Sequence, residues 1–435
     1  MLVRSRFLRR CVSRQGVLRA AALVTLLPIV PRAVRAQGHV LAQFARVDAY
    51  ADAVPRSAEQ SVLALAAYLA KSGPTDLIRA RALYRWVTRN IAYDVAGFVA
   101  GNYGDLTPDG VLRRRISVCE GYSRLTQVLG SAMGLQIAMI KGWSKGYSYT
   151  SGEKLNGPVN HAWNAVMIDG KWRLMDLTWG SGYLDEKMKF VRSFQEHYFL
   201  TSPEEFLFDH LPADPTWQFV DHAISNAEFA DLVYVRPMFF EAGFSIVSNK
   251  HANISAADRT TITLGISQPV ELIAEVLDAA TEQPVRGEFA FVQANDERAE
   301  INVAFPRAGN YVVRLFAKHR GAEGPLDWVL DYAVKATRGS AQAAFPTPYV
   351  SFGRSGAWLL ESPAGVMDVG KTYKISLRAP GVSEMMMVNG ATRTPLTKAG
   401  NEFSAEVVAP PGESVLYAKF GSSEKYLGLL RYVAR

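Results

Sequence analysis

The sequence is nearly devoid of cysteine, with only Cys11 and Cys119 among 435 residues. Cys11 lies in an N-terminal segment, 1–36, that reads as removable, so Cys119 is left alone and an intramolecular disulfide is excluded from the remainder. An apolar run long enough to span a bilayer as a helix, roughly 20 residues, is also missing. There is no glycine-rich phosphate loop and no Cys/His spacing of the zinc-ligand kind. His197, His210 and His222 stand too far apart along the chain to suggest a metal site. Disorder and collagen-like repeats are excluded as well, because 49% of residues are apolar, 11% aromatic and only 20% charged.

What is present begins with a basic start of Arg4, Arg6, Arg9, Arg10 and Arg14, followed by an apolar run from Ala20 to Val30 and by Ala33-Val34-Arg35-Ala36. That order predicts a signal peptide over 1–36, cleaved near Ala36-Gln37, and hence a periplasmic or secreted protein. The run of about 11 residues is too short for a helical membrane anchor. Arg9-Arg10 leaves the export route, general or twin-arginine, open. The segment carries eight of the 48 basic side chains and none of the 41 acidic ones, so the rest holds 40 basic against 41 acidic. The net charge of +7 therefore belongs to the leader, and no nucleic-acid or membrane partner follows from it.

The length predicts two to four domains. Ser57-Ala58-Glu59-Gln60 has the form of a capping box, and Val62, Leu65, Ala66 and Leu69 recur at helical spacing up to Gly73-Pro74. A second helix carries Ile78, Leu83, Trp86 and Val87. A third, from about Val118 to Met133, places Tyr122, Leu125, Val128, Leu129 and Met133 on one face and has Cys119 in its first turn. From Val159 the period becomes two, Asp169-Gly170 makes a tight turn, and Trp172, Leu174, Asp176 and Thr178 continue on the return strand. Beyond Pro237 short strands follow, with a tyrosine-corner pattern at Pro306–Tyr311, a small-residue linker over Lys335–Pro348, and a second set of strands from Tyr373. The expected fold class is α+β: a core domain over 37–236, then immunoglobulin-like β-sandwiches over 237–337 and 345–435. Met385-Met386-Met387 reads as core packing.

The chemistry starts from the sole thiol. A thiol attacks as thiolate, and a helix N-terminus favours negative charge, so Cys119 sits where a thiolate would be stabilised. With Asp169-Gly170 as the two-residue loop, Trp163 faces Asp176, which makes Asp176 the same-face diagonal neighbour of His161. A carboxylate there can fix the imidazole tautomer and stabilise the imidazolium. A lone strand histidine or aspartate is more often structural; the three together on one face favour a site.

Three blocks carry a resemblance: Ser117-Val118-Cys119-Glu120-Gly121-Tyr122-Ser123, His161-Ala162-Trp163-Asn164-Ala165-Val166, and Gly170-Lys171-Trp172 leading to Asp176-Leu177-Thr178-Trp179-Gly180. They resemble the transglutaminase-like superfamily, of papain-like fold, and its kyphoscoliosis-peptidase branch in particular. Asn90–Asp94, Tyr198–Thr201 with Pro203–Phe206, and Arg236–Phe240 add to the likeness, which runs from about Ser57 to Phe244 and less specifically over the β-sandwich tail. The resemblance implies a catalytic triad of Cys119, His161 and Asp176 acting on protein or peptide amides, as peptidase, deamidase or amine acyltransferase, with no cofactor and no metal. Ser117 stands where the family commonly has Gly, and Leu177 where Ala is usual. Beyond the Cys119 backbone N–H, the oxyanion donors stay open, with Tyr93 and Trp163 as candidates. The alternative is a catalytically inactive binding protein whose β-sandwiches engage a protein or cell-wall partner. Sequence gives no oligomeric state.

Overall fold

Side-chain caps set the helices of the N-terminal half. Ser61 accepts from the Ala64 N–H to open the helix Val62–Leu69, and Thr75 accepts from the Ile78 N–H to open Asp76–Asn90. The structure, a computed structural model, describes residues 44–435 apart from 148, 156, 186, 341–344 and 363. The expected capping box at Ser57 is not the cap that forms: Ser57 lies inside the 3₁₀ turn Arg56–Glu59, and Ser61 does the capping. The helix expected from about Val118 runs Cys119–Ala132, after the short helices Val95–Ala100 and Pro108–Arg114, and ends at Gly134, whose φ of 82° supplies the left-handed residue that stops it. Tyr122, Leu125, Leu129 and Met133 are buried as expected, but Val128 points to solvent.

This helix packs on an antiparallel sheet in the strand order Phe199–Thr201, Lys171–Met175, His161–Ile168, Ile137–Ser144, His210–Pro212. The helices Val62–Leu69 and Asp76–Asn90 pack against this helix, and Asp76–Asn90 also touches the strand His161–Ile168. Asp169 and Gly170 both have positive φ, 50° and 73°, as a type I′ hairpin turn requires. The register follows from that turn, with Ile168 opposite Lys171 and Asn164 opposite Met175. The return strand ends at Met175, not at Thr178, because Asp176 turns the chain by accepting the N–H groups of Thr178 (2.7 Å) and Trp179 (3.1 Å) on Oδ1. At the far edge, His210–Pro212 pairs with Gly142–Ser144. Gly142 is needed there, since a Cβ would stand 2.1 Å from the Leu211 carbonyl oxygen and 2.6 Å from the Trp163 ring.

Two β-sandwiches follow. The first faces a sheet containing Val270–Asp278, Gly309–His319 and Asp327–Ala336 against one containing Phe244–Ile246, Arg259–Ile266, Ala290–Ala294 and Arg298–Ala304. Tyr234–Val235 joins the first of these sheets, ahead of Pro237. The Tyr311 hydroxyl donates to the Arg307 carbonyl at 3.0 Å, which is the tyrosine corner expected from sequence. The second sandwich pairs Gly412–Phe420 and Tyr426–Ala434 with Val382–Asn389 in one sheet and sets Thr372–Arg378 and Glu402–Val408 in the other. Met385 and Met387 are buried in its core. Of the linker stretch, Lys335 belongs to a strand of the first sandwich and Thr347–Pro348 to a sheet of the second, while 341–344 lie outside the described residues. The expected leader and Cys11 also lie outside them. No helix of the described residues is long and apolar enough to cross a membrane.

Candidate active site

The thiol is positioned by short-range geometry. Ala92–Tyr93 pairs in parallel with Ile116–Ser117, which brings Tyr93 beside the residues that lead into the Cys119 helix. Val118 is the extended N-cap residue, so Cys119 is the first helical residue, half-buried and free. The Gly121 N–H donates to the Val118 carbonyl at 3.0 Å, while the Cys119 and Glu120 N–H groups ahead of it have no carbonyl one turn earlier and favour negative charge at the thiol. The helix is locked in place by Tyr122, whose hydroxyl donates to the Ile91 carbonyl at 2.6 Å, and by Asn164 Nδ2, which donates to the Ser123 carbonyl at 3.1 Å. Gly121 admits the buried Ser117, because a Cβ at 121 would stand 2.0 Å from the Ser117 Oγ. The serine that departs from the family's glycine is thus accommodated by the glycine that follows the thiol.

His161 opens its strand beneath this helix end. Its Nε2–H donates to Asp176 Oδ2 at 2.7 Å, since an ionised carboxylate can only accept. That leaves Nδ1 as the ring atom for a second partner, and the Cys119 side chain acts on the ring as a hydrogen-bond partner. Burial opposes charge on the ring, but the Asp176 carboxylate, and then Cys119, outweigh it and push the His161 pKa up to about 10. Asp176 is 0% exposed. Burial disfavours its ionised form too, yet His161 and then His210 hold it well below the usual carboxylate range. Tyr93 faces the same pocket, where burial first and then Cys119 raise its pKa. The structure thus brings Cys119, His161 and Asp176 together. Trp163, the other residue considered for the oxyanion, packs its ring on Phe206 and His210.

The residue that sequence reasoning passed over is His210. Its Nε2 stands 3.0 Å from the same Asp176 Oδ2, and its Nδ1 stands 2.5 Å from Asp209 Oδ1. It lies far from the other site residues along the chain, but the edge-strand pairing of Ser144 with His210 carries it into the site. The adjacent Asp209-His210 pair was the one local signal. His197 is a separate buried ring stacked on Phe240, and burial pushes its pKa down to about 4. His222 is exposed.

His161, Asp176 and His210 offer a set of metal-capable atoms within 4.8 Å of one another. A tetrahedral ion with bonds of about 2.1 Å would hold its ligand atoms about 3.4 Å apart. Here the nitrogen-to-oxygen separations are 2.7 and 3.0 Å, which are hydrogen-bond distances.

Residues 63–177 match the model of the transglutaminase-like superfamily, and residues 226–347 match that of the KY-like, immunoglobulin-like domain. The chain belongs to the transglutaminase-like superfamily. Among curated relatives, "Kyphoscoliosis peptidase" of Homo sapiens is 30% identical over 297 residues, covering 68% of this chain and 43% of the relative. "Hillarin" of Drosophila melanogaster is 31% identical over 244 residues, covering 53% and 30%. "Cytokinesis protein 3" of Schizosaccharomyces pombe is 25% identical over 290 residues, covering 63% and 32%. The chain spans less than half the length of these relatives. In this transglutaminase-like domain the match ends at Leu177, so it takes in Cys119, His161 and Asp176 but leaves out His210.

Proposed function

We propose that this chain is a thiol acyl-transfer enzyme acting on protein or peptide amides, with Cys119 as nucleophile, His161 as proton carrier and Asp176 as the group that orients His161. One observation carries the reading: a buried 2.7 Å bond from His161 Nε2 to Asp176 fixes the ring with Nδ1 free for a thiol at a helix N-terminus. The Cys119 thiolate forms a bond from Sγ to the amide carbonyl carbon, and the developing oxyanion is met by the Cys119 backbone N–H. As the C–N bond breaks, His161 Nδ1–H gives its proton to the leaving nitrogen, and a thioester remains on Cys119. Water or an amine then attacks the thioester while His161 takes its proton, the acyl group leaves, and the thiolate returns. Water as acceptor makes a peptidase or deamidase, and an amine makes a cross-link. The name of the human relative favours hydrolysis.

The test is a peptide-linked electrophile applied to the folded chain at neutral pH. The wild type is expected to take up one label on Cys119, and Cys119→Ser none. A rival reading, a catalytically silent binding protein, is favoured by the two β-sandwiches that follow the core; it expects label only after unfolding.

Export belongs to the same proposal, supported by the basic start, the short apolar run and the small residues before Gln37. N-terminal sequencing of protein recovered outside the cytoplasm should read from Gln37. Recovery from the cytosol with Met1 retained contradicts it.

A further inference from the structure

His210 is 0% exposed and lies between two carboxylates, with Nε2 3.0 Å from Asp176 Oδ2 and Nδ1 2.5 Å from Asp209 Oδ1. A neutral imidazole carries one N–H, so it can donate to only one of them. Both bonds to ionised carboxylates form together only when both ring nitrogens are protonated. We propose that His210 is held as an imidazolium bridging Asp209 and Asp176, and that it is a positioning residue which keeps the Asp176 carboxylate fixed and ionised against His161. The inference rests on the triad reading above.

The geometry gives the bridge two tasks. Asp176 Oδ1 accepts from the Thr178 and Trp179 N–H groups, and Oδ2 accepts from His161 and His210. Four donors fill the four acceptor positions of the carboxylate, so it cannot swing about its Cβ–Cγ bond. The second task concerns charge. Each time His161 passes its proton to a leaving group it becomes neutral, and a fully buried Asp176 would then be an unpaired anion, a costly state. A second imidazolium on Oδ2 keeps the carboxylate paired through that step.

The surroundings are consistent with a cation at His210. Phe206 stacks on the ring at 4.2 Å between centroids, and Trp179 and Trp163 close in at 4.5 and 5.1 Å. Asp209 is itself held, its Oδ2 accepting from the Tyr198 hydroxyl at 2.8 Å and its backbone carbonyl from the Lys145 N–H at 2.9 Å. The charged and titratable groups that face the bridge are Asp176, Asp209, His161, His197 and Tyr198, with Lys145 and Arg236 acting on Asp209 from beyond. Burial opposes charge on His210, and Asp209 and then Asp176 outweigh it, so its pKa is raised. Charge then alternates from Arg236 through Asp209, His210 and Asp176 to His161.

The test uses the full chain with nitrogen-15 in its histidine rings, and His210→Gln to assign the His210 signals. At pH 7 both His210 ring nitrogens are expected to show attached protons, and in Asp209→Asn only one. Iodoacetamide alkylation of Cys119 at pH 5 is expected to slow up to roughly tenfold in Asp209→Asn, the size of losing one charge-assisted hydrogen bond, although the His210 ring stays in place. His210→Gln, which keeps a donor but no charge, should slow it similarly. An unprotonated His210 nitrogen in the wild type overturns the bridge. A doubly protonated ring with unchanged alkylation in Asp209→Asn overturns the positioning role. Should His210→Gln fail to fold, Asp209→Asn and the ring spectrum decide. If instead wild type and His161→Ala alkylate alike at pH 5, the triad reading fails, and the spectrum still reports separately on the bridge.

Discussion

Asp176→Ala is expected to lose roughly 3–5 kcal/mol of folding stability, the cost of removing one partner from a buried ion pair. The aspartate is fully buried, and its two oxygens accept from His161, His210, Thr178 and Trp179. Without it, His161 loses its carboxylate partner, His210 keeps only Asp209, and two backbone N–H groups lose their acceptor. Urea unfolding of the two proteins at pH 7 measures the difference, and a loss under about 1 kcal/mol would place Asp176 among ordinary surface carboxylates. The pH dependence should change as well. His161 is raised from the ordinary imidazole value of 6.5 to about 10, so the stability it contributes is fully present below pH 6.5 and is lost as pH rises through 10. Asp176 is depressed, so its contribution is present above the ordinary carboxylate range and lost only in strong acid. The wild type should therefore weaken between pH 7 and 10, and Asp176→Ala should lack most of that slope.

The parts of this site legible in the sequence are those fixed by short-range rules. A two-residue Asp-Gly loop demands positive φ at both positions and sets the register, so Asn164 opposite Met175 could be read directly, and the nearness of Asp176 to His161 followed. The tyrosine corner at Tyr311 and the helix end at Gly134 were legible for the same reason. Asp176 itself broke the strand pattern, because a carboxylate that caps its own downstream N–H groups competes with the sheet ladder, and alternation alone does not reveal which wins. Ser61 rather than Ser57 caps the helix Val62–Leu69, a shift of one turn that propensity does not resolve. His210 was hidden because edge-strand pairing between Ser144 and His210 joins distant stretches with no turn to set it. Distance along the chain was the wrong measure of distance in space.

The central claim is that Cys119 is a nucleophile activated by His161. At pH 5 a free thiol of pKa near 8.5 is thiolate to about 0.03%, whereas a thiol paired with an imidazolium is largely thiolate. That gain of roughly 3,000-fold is offset by the weaker nucleophilicity of a stabilised thiolate, roughly 50-fold for a Brønsted slope near 0.45. The wild type is thus expected to react with iodoacetamide on the order of 50-fold faster than His161→Ala at pH 5, with the order reversing above about pH 7 as the variant's stronger nucleophile ionises. Asp176→Asn should fall between them, since it leaves the base but removes the carboxylate that orients it. The deciding measurement is the full pH–rate profile of Cys119 alkylation in the folded wild type and in His161→Ala. The account predicts a wild-type profile that stays high into acid while the variant rises only as an ordinary thiol ionises. Two coincident profiles, both rising near pH 8.5, would contradict it.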